Sequence, residues 1–266
     1  MKNTQIISVI NQKGGVGKTT TVINLATALS FYKKKILVID LDPQGNATTG
    51  LGVENNSNTK TIYDVLNGSI SFENAIRDTK IDNLKLVSSN VELSGLEVET
   101  ANENRRAFLL KDNIENFINS NSNDFSYIFI DCPPSLNLLT VMSLVVAKSL
   151  IVPLQAEFFA LEGLSQLMKT IERVKIKLNP ELEIRGVLLT MYDKRNKLSL
   201  QVDHEARKFF DKKVYETVIP RNVRLSEAPS HGVPILIYDK SCTGSRSYAN
   251  FAQEFLKQES LMESAA

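Results

Sequence analysis

Gln12-Lys13-Gly14-Gly15-Val16-Gly17-Lys18-Thr19-Thr20 follows directly on the apolar run Ile6-Ile7-Ser8-Val9-Ile10. The order is strand, glycine turn, helix. Three glycines let the backbone fold tightly round an anion, and the helix expected from Thr19 to about Phe31 turns its free N–H groups toward the same point. This reads as a phosphate-binding loop. Gly14, Gly15, Val16, Gly17, Lys18, Thr19 and Thr20 are the expected nucleotide contacts, with Lys18 reaching the β- and γ-phosphates and the Thr19 hydroxyl ligating Mg²⁺. The usual spacing G-x-x-x-x-G-K-[ST] asks for a glycine where this chain has Gln12. A dinucleotide fingerprint begun at Gly15 would need glycine or alanine at Thr20, so that reading fits worse.

Two further strand ends bring carboxylates to the same edge. Ile36-Leu37-Val38-Ile39 is apolar throughout, as a strand covered on both faces must be, and runs into Asp40-Leu41-Asp42-Pro43-Gln44-Gly45-Asn46. Ligands of open α/β sheets lie at the carboxyl ends of strands, which places Asp40 and Asp42 near the phosphates. The competing reading is that they cap a turn around Pro43. Tyr127-Ile128-Phe129-Ile130-Asp131 repeats the pattern of a Walker B strand, with Asp131 expected on Mg²⁺ through water. Cys132-Pro133-Pro134-Ser135 then excludes regular structure. Asp40 is expected on the metal's water shell or on Lys18.

The bulk numbers set limits. A chain of 266 residues, 42% of them hydrophobic, can bury a sizeable core, here read as one domain spanning 1–266. The formal net charge of +1 gives no global electrostatic case for nucleic acid. The distribution is uneven, with ten Lys/Arg against five Asp/Glu from Arg185 to Arg224 and 21 against 25 elsewhere. Cys132 and Cys242, far apart in sequence, suggest neither a disulfide framework nor a zinc or iron–sulfur site and fit a reducing cytoplasm. Asn11-Gln12-Lys13 interrupts the first apolar run, so no signal peptide is expected.

Further along, Leu84–Val87, Ser149–Pro153, Ile184–Leu189 and a last short strand at Glu216–Ile219 alternate with helices at Arg106–Ile118, Leu161–Leu178, Ser199–Phe210 and Gly244–Leu256. Short helical pieces are expected at Ile62–Leu66 and Phe72–Ile76. Lys33-Lys34-Lys35 is read as closing the first helix by covering its carbonyls. The pattern predicts an α/β fold, a doubly wound, mostly parallel sheet of the P-loop NTPase type.

Lys13-Gly14-Gly15-x-Gly17-Lys18-Thr19, Ile39–Asn46 and Asp131-x-Pro133-Pro134 together resemble the ParA/MinD ATPases, the deviant Walker branch of the P-loop proteins. Ala160–Leu167, Gly186–Met191 and Ile219–Gly232 resemble the chromosomal ParA/Soj partition ATPases in particular. The resemblance runs from Ile6 to about Asp239. It implies ATP and Mg²⁺ as cofactors and slow, partner-stimulated hydrolysis. Lys13, Lys18 and Asp42 are then catalytic, with Lys13 reaching the nucleotide of a second protomer in an ATP sandwich and Asp42 assisting attack of water. Thr19, Asp42 and Asp131 surround the metal, while Pro220 and Asn222 pack the nucleotide base.

The same resemblance implies that the homodimer binds double-stranded DNA without regard to sequence through Arg195 and Arg224, with Arg221 and Lys197 as neighbours. A ParB-type centromere-binding protein is the implied partner, and the nucleoid within the cytoplasm the implied location. Few residues precede the first strand, as in the short family members without a helix-turn-helix extension. Two alternatives remain: a membrane-positioning ATPase of the MinD kind, and a ParA-like ATPase that positions a protein cargo. The first needs a basic amphipathic terminal helix, whereas Gln258–Ala266 has two glutamates and no Lys or Arg, so no membrane is expected.

Overall fold

The structure is a computed structural model and describes residues 4–120, 124–157 and 160–265. In chain order the first half reads β1 (Gln5–Val9), α1 (Lys18–Phe31), β2 (Ile36–Asp40), α2 (Asn46–Gly50) and α3 (Ile62–Leu66), then β3 (Ile76–Asp78), β4 (Leu84–Val87), α4 (Leu96–Glu99), α5 (Leu109–Asn119) and β5 (Tyr127–Asp131). The second half reads α6 (Leu138–Val146), β6 (Ser149–Gln155), α7 (Ala160–Lys177), β7 (Glu183–Thr190) and α8 (Lys197–Phe210), followed by α9 (Val223–Glu227), α10 (Ile235–Tyr238) and α11 (Thr243–Ala265).

The seven strands form one sheet in the order β3-β4-β2-β5-β1-β6-β7. All neighbours run parallel except β3, which pairs antiparallel with β4 at the edge. The doubly wound parallel sheet expected from the alternation of apolar runs is therefore present. β2 and β5 are buried along their whole length, as strands covered on both faces must be. Two apolar layers flank the sheet. Ile6, Leu37, Ile128 and Leu150 face α5, α6 and α7, while Ile7, Val38, Phe129 and Ile151 face α1 and α11. Register decides the geometry of everything at the carboxyl edge: on β5, Asp131 is aligned with Val9 on one side and Asp40 on the other.

Helix α1 is more enclosed than its apolar stripe suggests. Its polar residues Thr21, Asn24, Thr27 and Ser30 are buried with the apolar ones. Each finds a partner. Thr21 shares a 3.1 Å hydrogen bond with the Tyr248 hydroxyl on α11, and Asn24 accepts the Ile235 N–H at 2.8 Å while donating to Thr20 O. Thr27 and Ser30 donate back to carbonyls of their own helix. A helix buried all round satisfies its polar side chains internally.

Three local expectations are corrected. Lys33 closes α1 through its backbone, at φ 60° in the left-handed region, with its N–H on Ser30 O and that of Lys34 on Leu29 O; Lys35 pairs with Asp124 instead of covering helix carbonyls. Ile76 opens the edge strand β3, and the 3₁₀ turn before it ends at Ala75. Glu216–Ile219 is not a strand. It runs beside β7, but the Glu254 carboxylate on α11 takes the N–H groups of Glu216 and Thr217 at 2.7 and 2.9 Å, leaving bridges only at Val214 and Pro220.

The residues just before that segment lie against β7 at Gly186, where a Cβ would lie 2.4 Å from Tyr215 Cε2 and 3.0 Å from Lys213 O. Tyr215 is fully buried against Phe251 and cannot retreat. Gly186→Ala is expected to destabilise the fold by about 2 kcal/mol, the usual scale of overpacking, and to lower the thermal midpoint by roughly 5 °C in circular dichroism melts.

Candidate functional site

The turn after β1 is held before any ligand arrives. Asn11, buried at the strand's end, donates to Pro153 O at 2.7 Å and accepts the Lys13 N–H at 3.0 Å. On the far side the Thr190 hydroxyl, at the end of β7, donates to Val16 O at 2.8 Å. Gly15 and Gly17 adopt φ 74° and 88°, conformations that L side chains rarely take, and Gly17 caps the first turn of α1. The loop is thus pinned to β6 and β7 with its amides gathered at the start of a fourteen-residue helix.

Lys18 is buried and donates to Lys13 O at 3.0 Å across the loop. Burial lowers its pKa, while the nearby carboxylates of Asp131 and Asp42 oppose that shift. Asp131 is wholly buried at the end of β5, and neither carboxylate oxygen has a hydrogen-bond partner in ordinary geometry. Its pKa stands well above the ordinary range, chiefly through burial and next through the charge on Asp40; the Thr19 hydroxyl is near enough to pull it back in part. Asp40, also wholly buried, is raised to about 6, again mainly by burial.

Three carboxylates against one ammonium is an arrangement that a divalent cation completes. An orphaned buried carboxylate beside the Thr19 hydroxyl fits Mg²⁺, which keeps most of its water and takes one or two protein oxygens together with phosphate. Among the described residues no group of three or more His, Cys, Asp or Glu could hold a metal alone. The phosphates would therefore complete the shell.

A cavity of about 610 Å³ opens over the loop. It is bounded by Gly14 to Thr20 without Val16, by Asp42, and by Pro220, Arg221 and Asn222. Asp42 accepts the Gln44 N–H at 3.0 Å, which orients its carboxylate on a tight turn. Asp40 does not reach toward Lys18 as expected. Its oxygens take the Asp42 N–H and both the N–H and hydroxyl of Thr48, so Asp40 caps the turn while Asp42 both caps it and lines the cavity. Asn222 lines the cavity, yet its amide caps α9 through the Leu225 N–H and donates to Thr243 at 2.9 Å. Val16, in the phosphate-loop set, is buried and contributes its carbonyl to Thr190.

Three of the remaining candidates, Lys13, Arg195 and Arg224, carry acidic partners. Lys13, exposed with Gly14 and Gly15 at the crest of the loop, pairs with Glu157 of its own chain. Arg195 makes a two-pronged contact with Asp193 at 3.1 Å. Arg224 pairs with Glu227 at 2.9 Å and lies 3.8 Å from Asp239. Arg221 borders the nucleotide cavity, while Lys197 opens α8 in an exposed position. Burial pushes the Cys132 thiol up to about 12, with Sγ donating to Ser143, which suits an inert packed side chain.

Comparison with known proteins shows the family. A family model described as an AAA domain matches residues 4–184. The chain is 51% identical over 255 residues to the chromosome partitioning protein ParA of Caulobacter vibrioides, covering 96% of this chain and 95% of that one. It is 47% identical to the sporulation initiation inhibitor protein Soj of Bacillus subtilis, covering 94% and 97%. The chain belongs to the ParA/Soj family of chromosome-partitioning ATPases. Among solved structures, the ParA/Soj fold seen here is similar to cobyrinic acid a,c-diamide synthase of Mycobacterium smegmatis with a bound ATP analog and magnesium, at TM-score 0.84 and 33% identity over 96% of this chain and 94% of that one.

Reasoning from sequence did not find Asn11, Thr190, Thr48 or Glu157. Thr190 had a signal, since it ends a strand on the ligand-bearing edge of a ParA/Soj sheet. Asp131 supplies a test. A buried carboxylate without partners destabilises the ligand-free protein, and because its pKa is raised above the unfolded value of about 4, that penalty is absent at low pH and grows as pH rises through the folded pKa. Asp131→Asn is expected to raise the ligand-free melting temperature by a few degrees, about 1–2 kcal/mol. The gain should be larger at pH 8 than at pH 5, and the extra stabilisation by Mg²⁺ with ATP over ATP alone should disappear.

Proposed function

We propose that this ParA/Soj protein binds ATP with Mg²⁺ in the cavity over Gly14–Thr20, dimerises across that nucleotide, and in the dimeric state binds DNA without regard to sequence. Hydrolysis, slow alone and stimulated by a ParB-type partner, releases it, and the cycle segregates a chromosome or plasmid on the nucleoid in the cytoplasm. The observation that carries the nucleotide reading is the partnerless Asp131 beside Lys18 and Thr19 under a fixed phosphate loop. Kinship at 51% identity to a partition protein supports the partition reading over a synthase one, for which the similar structure is 33% identical.

In this account Lys18 neutralises the β- and γ-phosphates, Thr19 and Asp131 hold the hydrated metal, and Asp42 orients the attacking water. Mg²⁺, when bound, would supply charge neutralisation to the phosphates. Lys13 leaves Glu157 to reach the partner's nucleotide. Gly14 supports a dimer for a reason internal to the chain. Its backbone is not in the left-handed region, and a Cβ there would meet only Pro134 Cβ at 3.8 Å, an ordinary contact. Among the described residues nothing demands glycine at that position, so the demand is assigned to the second subunit.

A membrane-positioning role finds less support. The end of α11 is drawn onto the sheet, where Glu259 pairs with buried Arg185 and the guanidinium stacks on Phe255 at 4.0 Å. The tail Gln258–Ala266 was expected to lack a basic face; its side chains from 262 onward and the structure of Ala266 lie outside the described residues. No helix among the described residues is long and apolar enough to cross a membrane.

Filter retention of DNA is expected with ATP and not with ADP. If each protomer places two or three cations on phosphate, the slope of log affinity against log salt should be on the order of −4 to −5; equal retention with either nucleotide would overturn the reading. Gly14→Val is expected to bind ATP but to sediment as a monomer, because the branched side chain intrudes between the two loops.

A further inference from the structure

We propose that Thr48 is a positioning residue for ATP hydrolysis, acting on Asp42 through Asp40. Neither residue is assigned a part in the cycle above, and the inference rests on that section's reading of Asp42 as the group that orients water.

The geometry is a closed ring. Asp40 Oδ1 accepts the Asp42 N–H at 3.2 Å; Asp40 Oδ2 accepts the Thr48 N–H at 2.8 Å and the Thr48 hydroxyl at 2.7 Å. One carboxylate therefore ties together both ends of the turn from Asp42 to Thr48. Within the ring Asp42 Oδ1 takes the Gln44 N–H, and Gly45 turns the chain at φ 64° into α2. The ring is bolted to the sheet from outside, because Thr48 Oγ1 also accepts the Ser89 N–H at 3.2 Å just beyond β4. A single hydroxyl thus joins the ends of β2 and β4 to the first turn of α2.

All three residues are buried: Asp40 at 0%, Ser89 at 1% and Thr48 at 3% exposure. A hydrogen bond lost there is not replaced by water, and a buried acceptor left short of donors is penalised in full. The backbone of Asp42 is held by its N–H on Asp40 and by its carbonyl, which accepts the Gly45 N–H at 2.9 Å, while its carboxylate takes the Gln44 N–H. Loosening the far end of the ring lets its carboxylate drift in the cavity, and misplacement of a water-orienting group by about 1 Å is worth up to about a hundredfold in rate. The phosphate contacts come from the other loop, pinned separately by Asn11 and Thr190. Binding and hydrolysis are therefore separable at this position.

The test is steady-state and single-turnover hydrolysis by the full chain, with rates normalised to ATP bound at saturation. Thr48→Val keeps the shape and removes the hydroxyl; Thr48→Ala removes it with no possibility of a clash; Thr48→Ser restores it. The valine and alanine variants are expected to lose about tenfold or more in kcat with KM and ATP affinity within about twofold of wild type, and serine to recover kcat to within about twofold. A merely structural residue would lower the fraction able to bind ATP and leave the normalised rate alone, which would overturn the proposal, as would wild-type kcat in both hydroxyl-free variants. Asp42→Ala serves as the reference. If it hydrolyses ATP normally, the reading of Asp42 falls; if it is inactive while Thr48→Val and Thr48→Ala are not, only the role of Thr48 falls.

Discussion

A carboxylate with nothing to hold sits at the centre of this molecule. Asp131 ends the middle strand of the sheet, aligned with Val9 and Asp40, buried and without a hydrogen-bond partner. Such a group is tolerated only where a ligand repays its desolvation. The strand order makes the position unavoidable: β5 lies between β1 and β2, so its last residue faces both the phosphate loop and the aspartate turn. Lys18 and the carboxylates then shift one another. Burial discourages the ammonium and both buried acids alike, and a magnesium phosphate would relieve the acids.

Rigidity around that centre is built from polar groups in unusual places. The loop hangs between Asn11 on Pro153 and Thr190 on Val16, two side-chain bonds from strands on one side of it. The aspartate turn hangs from Asp40 and Thr48 on the other. Between them α1 is clasped by Thr21 to Tyr248 and Asn24 to Ile235, which transfers the stiffness of α10 and α11 to the amides of the loop. Preorganised donors of this kind need no rearrangement when charge arrives.

Most of the fold was legible because buried parallel strands announce themselves. Ile36–Asp40 and Tyr127–Asp131 are unbroken apolar runs ending in acid, and the glycines at 15 and 17 are there for their backbone angles. The edges were harder to read. β3 is three residues long and its pairing comes from β4, so no local period marks it. Glu216–Ile219 has strand composition, yet a glutamate from α11, nearly forty residues away in sequence, takes its amides. Tertiary competition of that sort has no local signature. The partners of Asp40 were hidden for a related reason: the pattern near Lys18 said nothing of Thr48, which binds it from the next helix.

Glycines after the aspartate turn make close contacts outside the cleft. Gly52 and Gly232 have φ of 69° and 63°, and a Cβ on Gly52 would sit 2.4 Å from Gly232 O, so two backbones touch where no side chain fits. Gly50 is similarly tight against Ile23 of α1. Through this contact the segment leaving the aspartate turn leans on the chain just after α9, which carries Arg224. No side chain lies between the two backbones there. Arg224 is exposed and held by Glu227 and Asp239, as Arg195 is by Asp193, and exposed pairs of this kind contribute little and exchange readily. On the proposed reading, phosphate oxygens replace carboxylate oxygens at nearly constant charge pairing, so these arginines change partner at little electrostatic cost.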